Sequence, residues 1–120
     1  MRIAIDLDGT ICPTREPHQS YADLQPLPGA VARLAEFHKA GHYIVIMTAR
    51  NMATCESNVG KVLKNIGKLT FDWLEQWSIE YDEIYFGKPN ADVYIDDRAI
   101  RFLGWEHMSE EVFQQQARAR

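Results

Sequence analysis

The segment Ile3-Ala4-Ile5-Asp6-Leu7-Asp8-Gly9-Thr10 joins a short apolar run to two acids, and the organisation of the chain is read from that junction. β-branched residues closed by Asp-Gly turn chemistry predict a buried strand over 2–7. Residues two apart on a strand share a side, so Asp6 and Asp8 are expected together at its C-terminal mouth, with Gly9 letting the backbone bend around a ligand. Two carboxylates that close repel unless a cation or a shared proton holds them.

The same arrangement recurs down the chain. A second apolar run, Tyr43-Ile44-Val45-Ile46-Met47, ends at Thr48-Ala49-Arg50. A third, Glu83 to Phe86, ends at Gly87-Lys88-Pro89, and a fourth, Asp92 to Ile95, runs into Asp96-Asp97. Helical spacing separates them. Val31, Leu34, Ala35 and His38 follow Pro28-Gly29 and stop at Gly41. Val59, Val62, Leu63 and Ile66 stop at Gly67. Thr70 is read as the cap of a third helix whose apolar side is Phe71, Leu74 and Trp77. Phe37 and Trp73 are read as core with Phe71 and Trp77. Strands alternating with helices predict an α/β fold, a parallel sheet with helices on both faces. In such sheets ligands bind beyond the carboxyl ends of the strands. The four polar clusters are therefore expected to converge.

Bulk properties narrow the field. The chain has 120 residues, 46% of them apolar and 25% charged, with a formal net charge of −4. That length suits one domain, read here as residues 1–120, with 11–28 an ordered Pro-rich loop over the strand ends and 109–120 a capped helix fraying into a tail. Net acidity argues against duplex nucleic acid as a partner. No stretch is long and apolar enough to span a membrane, and no signal-peptide pattern precedes the first strand, so a cytoplasmic location is expected. Cys12 and Cys55 have no metal-ligand spacing and read as reduced thiols.

The clusters suggest a chemistry. The cation expected for an all-oxygen site of this kind is Mg²⁺. One carboxylate could then attack phosphorus while the other handles a proton. With Asp6-Leu7-Asp8-Gly9-Thr10, Thr48, Lys88 and Asp96-Asp97 in that order, the chain resembles the haloacid-dehalogenase (HAD) superfamily of aspartate-nucleophile phosphatases, across positions 6 to 97. The run Tyr85 to Ala99 is also similar to small bacterial HAD proteins of capsule or surface-polysaccharide synthesis.

The resemblance implies a three-layer, Rossmann-like HAD core. Asp6 would be the nucleophile forming an aspartyl-phosphate, and Asp8 the general acid and later base. Thr48 would bind a phosphoryl oxygen, and Lys88 would neutralise the transferring group. Mg²⁺ would be held by Asp6, the Asp8 carbonyl, Asp96 and Asp97, with Asp97 favoured as the direct ligand and Asp96 direct or through water. Gly9, Thr10, Ala49 and Arg50 would surround the substrate. Arg50 and Arg98 read equally as anion clamps or surface ion pairs, and Arg15 and His18 as loop residues able to reach the substrate.

Neither gap between motifs has room for a large cap domain. The resemblance is therefore to capless members, which act on bulky substrates or use a neighbouring subunit of a homo-oligomer as a lid. A phosphorylated sugar or polysaccharide precursor is the expected substrate. The alternatives are a polynucleotide end phosphatase and a non-catalytic phosphate- or Mg²⁺-binding partner in polysaccharide assembly.

Overall fold

The structure is a computed structural model and describes residues 1–119, so Arg120 of the expected tail lies outside it. Four parallel strands form one sheet: β1 (Arg2–Asp6), β2 (Tyr43–Thr48), β3 (Glu83–Phe86) and β4 (Val93–Ile95), in the order β3-β2-β1-β4. The register sets Ile5 beside both Ile46 and Ile95, and Thr48 beside Phe86. All four strands therefore finish at one rim. Helices α1 (Ala30–Lys39), α2 (Val59–Val62), α3 (Lys68–Gln76) and α4 (Glu110–Arg118) complete the fold.

Strand order explains how the helices are distributed. Right-handed crossovers from β1 to β2 and on to β3 move the chain one way across the sheet, so both connections fall on the same face. Ile3 and Ile5 of β1 and Ile44 and Ile46 of β2 accordingly form one core with Leu34 of α1 and with Trp73 and Leu74 of α3. The return from β3 to β4 must cross the other face. It does so as the short stretch 87–92, where Ala91 packs on Ala4, Val45 and Met47. The expectation of helices on both faces is thus met on one: a connection this short cannot hold a helix. Arg2 pairs with Glu83 at 2.8 Å on the uncovered side, and Tyr43 donates to Glu83 at 2.7 Å.

Local differences from the expected elements have simple causes. Gly29 takes φ +86° as the cap of α1, leaving Pro28 outside, and Phe37 rather than Ala35 or His38 turns toward the core. Gly67 does not end a helix. It sits buried beneath Leu63 in a π-helical turn, Leu63–Gly67, that carries α2 into α3. Thr70 is then interior and buried, while Phe71 is exposed. A capping box between Ser20 and Asp23 fixes a 3₁₀ turn at Tyr21–Asp23, and Trp73 Nε1 donates to the Leu24 carbonyl at 2.7 Å. Both cysteines are free and buried. No described helix is long and apolar enough to cross a membrane.

Candidate acidic site at the sheet rim

Asp6 ends β1 opposite Met47, and Asp96 follows Ile95, the partner of Ile5. Parallel pairing therefore brings two acids from distant parts of the chain side by side. Asp97 completes the group: Asp6, Asp96 and Asp97 each offer a carboxylate oxygen within 4.8 Å of the others. Gly9 has φ +97°, and a Cβ there would drive into the Asp97 carboxylate, so that approach requires glycine. Asp97 Oδ1 is buried and has no hydrogen-bond partner among the described residues. Thr10 donates to Asp6 at 3.5 Å.

Burial, and then the Asp96 and Asp97 carboxylates, push the Asp6 carboxyl up to about 7. Three crowded carboxylates and an orphaned buried oxygen fit a hard divalent cation, whose charge would relieve the repulsion and supply the missing partner.

The Asp8 side chain does not join this trio. Chain reversal after Leu7, where the Gly9, Ile11 and Cys12 amides close a tight turn, aims it at Arg50 instead. Arg50 Nη2 donates to Asp8 Oδ1 at 2.7 Å and Nε to Oδ2 at 3.0 Å, a two-pronged contact. The guanidinium is buried. Its Nη1 reaches Thr70 at 3.1 Å, and its carbon lies 3.9 Å from the centre of the Tyr21 ring. Of the two roles the sequence leaves open for Arg50, anion clamp or ion pair, the structure shows the ion pair, a buried one that braces Asp8 while the residue also lines the smaller cavity.

Two cavities meet at Asp6. The larger, about 780 Å³, is lined by Asp6, Thr48 and Lys88 with Tyr94, Ile100 and Phe102 beyond them. The smaller, about 350 Å³, has Asp6 and Asp8 at its base and Arg15, Tyr21 and Arg98 at its sides. Ala49 borders both. The structure thus brings Lys88 to the same rim as the acids. Its ammonium rests 5.2 Å from the centre of the Tyr94 ring and makes no ion pair among the described residues. The buried Thr48 hydroxyl accepts from the Arg50 amide at 3.0 Å.

Arg15 braces its own loop, with Nη1 donating to the carbonyls of Glu16, Pro17 and Gln19. His18 is exposed and does not line either cavity. Lys61 and Lys64 are also exposed and line neither cavity. Tyr21 and Thr70 were not anticipated from the sequence. Thr70 stands three and four residues before Trp73 and Leu74, a spacing that marks it as facing the core. Nothing comparable marks Tyr21, which lies in a stretch without periodicity.

The fold and rim together define an α/β protein with a parallel sheet and an acidic cluster that could hold a metal. No family model matches the chain, and none of the curated proteins does. Among solved structures, the crystal structure of an MCSG target from Vibrio cholerae is 37% identical, covering 96% of this chain and 94% of its own, with a TM-score of 0.66. The chain belongs to the family of that Vibrio cholerae protein. A chain in the structure of the Pnkp1/Rnl/Hen1 RNA repair complex is 18% identical with a TM-score of 0.49, covering 73% of this chain and 26% of its own. A likeness that shallow says nothing about chemistry here.

Proposed function

We propose that the protein is a Mg²⁺-dependent phosphomonoesterase of the HAD type, working through an aspartyl-phosphate on Asp6. The observation that carries this reading is the placement of the Asp6 carboxylate. It lies within 4.8 Å of the Asp96 and Asp97 carboxylates and also lines the cavity that holds Thr48 and Lys88. Asp6, Asp96 and Asp97 would hold the cation, which when bound supplies positive charge to the phosphoryl oxygens and keeps the nucleophile ionised.

In the first step an Asp6 oxygen attacks phosphorus, and the bond from phosphorus to the ester oxygen breaks. The departing oxygen takes a proton from Asp8. In the second, water attacks the aspartyl-phosphate and gives its proton to Asp8 as the acyl–phosphate linkage opens, restoring Asp6 and releasing phosphate. Thr48 would donate to a phosphoryl oxygen, and Lys88 would swing from Tyr94 to offset the charge that spreads over the equatorial oxygens.

The brace on Asp8 selects the atom that moves the proton. Oδ1 already accepts from Arg50 Nη2 and, at 3.5 Å, from the Cys12 thiol. Among the described residues Oδ2 accepts from Arg50 Nε alone, which leaves it a site to carry the proton passed to the leaving oxygen. The 780 Å³ cavity has room for a phosphorylated sugar or polysaccharide precursor, the substrate class this reading favours. A screen of phosphorylated metabolites with phosphate release as readout tests it: Mg²⁺-dependent release that chelation abolishes is expected. Tight phosphate binding without release would leave only a non-catalytic binding role.

A further inference from the structure

Asp8 lines the smaller cavity and not the larger, whereas Thr48 and Lys88 line the larger and not the smaller. On the phosphatase reading, phosphorus sits at Asp6, where the two cavities meet. The oxygen that takes its proton from Asp8 then leaves on the side of the smaller one. The alcohol half of the substrate therefore begins in that space of about 350 Å³, and the groups lining it select the substrate. A long substrate can continue into the larger cavity, since Ala49 borders both.

The lining is more basic than the chain as a whole. The formal net charge is −4, yet Arg15, Arg50 and Arg98 all line this one cavity. Three acids line it as well, and each has its answer. Asp8 is paired with Arg50, while Asp6 and Asp96 belong to the trio that would hold the cation. Arg15 and Arg98 are left over, with no acid paired to either among the described residues.

Both are placed to receive an anion. The Arg98 amide donates to Asp96 at 2.7 Å, which roots its exposed side chain beside the trio. Arg15 is anchored by the three loop carbonyls that its Nη1 reaches, and its guanidinium carbon lies 5.0 Å from the centre of the Tyr21 ring. Its Nη2 and the Tyr21 hydroxyl have no hydrogen-bond partner among the described residues. A guanidinium already fixed in place loses little entropy on meeting a carboxylate or phosphate, and its fork matches either. The phosphoryl group under attack has the cation, Thr48 and Lys88 as partners. Two further cations on the alcohol's side answer a different charge.

We propose that the substrate carries a second anionic group on its alcohol half, a carboxylate or another phosphate, held in the smaller cavity by Arg15 and Arg98. This rests on the phosphatase reading and narrows the sugar phosphate to an acidic sugar phosphate or a bisphosphate.

Steady-state hydrolysis of matched esters in Mg²⁺ tests it. Glycerol 3-phosphate is compared with 3-phosphoglycerate, and glucose 6-phosphate with 6-phosphogluconate and glucose 1,6-bisphosphate. At least one charged ester should exceed its uncharged counterpart in kcat/KM by about 10-fold or more, the effect of one charge-assisted contact. Whether the carboxylates or the bisphosphate gain says which anion the cavity takes. Arg98→Gln, at an exposed side chain that supports no core, should erase most of that advantage by raising KM. Arg15→Gln should do the same, and Arg15→Lys, which keeps the charge, should retain part of it. Charged esters turned over no better than uncharged ones would overturn the proposal and leave the phosphatase reading standing. An advantage that both glutamine variants leave intact would overturn it equally. A protein that releases phosphate from no ester, a generic aryl phosphate included, would end the reading and the proposal together.

Discussion

Asp8 and Arg50 show how one residue can be legible in type yet not in task. A strand-end Asp two positions after another Asp reads as functional from sequence, and an Arg two positions after Thr48 reads equally as an anion clamp or a surface ion pair. The fold uses that Arg to fix the Asp, burying the guanidinium against Tyr21 and Thr70. Asp8→Asn should slow hydrolysis of an alkyl phosphate by about 10²–10⁴-fold while affecting an aryl phosphate less, because only the poorer leaving group depends on protonation. Equal losses in steady-state rates would remove the acid role. Arg50→Lys keeps the charge but not the two-pronged contact, so the same asymmetry between substrates should appear in weaker form. A uniform rise in KM without change in kcat would instead return Arg50 to substrate binding. Thr70→Val leaves a buried Arg50 donor unpaired and should cost about 1–3 kcal/mol in urea unfolding.

At the scale of elements, the strands were legible because each is an apolar run closed by turn chemistry, and their common rim followed from parallel topology. The helices were less so. Gly67 reads as a stop, since glycine commonly ends helices. Tertiary packing overrides that preference, with Leu63 covering Gly67 in the π-helical turn and the rod continuing to Gln76. The thin covering of the second sheet face could have been derived from strand order, but strand order is a long-range pairing that periodicity does not reveal. Gly9 is the element-scale test of the turn that joins β1 to the rim. Its φ of +97° and its approach to Asp97 leave no room for a side chain. Gly9→Ala should therefore destabilise the protein by about 1–3 kcal/mol and weaken cation binding as well. A fully stable Gly9→Ala variant would mean that Asp97 does not pack there.

For the whole molecule, the acidic rim couples folding to protons and would couple it to the proposed cation. Asp6 titrates near 7 in the folded chain against an ordinary value of 3.8. The folded state thus holds this proton more tightly than the unfolded one. The resulting stabilisation is complete below the unfolded value and is lost as pH rises through about 7. In chelator the melting temperature should fall between pH of about 5 and about 8, and the rise on adding Mg²⁺ should be larger at the higher pH, since the ion binds the ionised trio. A Mg²⁺-induced rise equal at both would detach the ion from Asp6.

The central claim is tested most directly by turnover of a generic aryl phosphate in Mg²⁺, comparing the wild type with Asp6→Asn. Phosphate release should drop to background in the variant while circular dichroism and the melting transition show an intact fold. Release continuing at the wild-type rate would contradict the covalent role of Asp6.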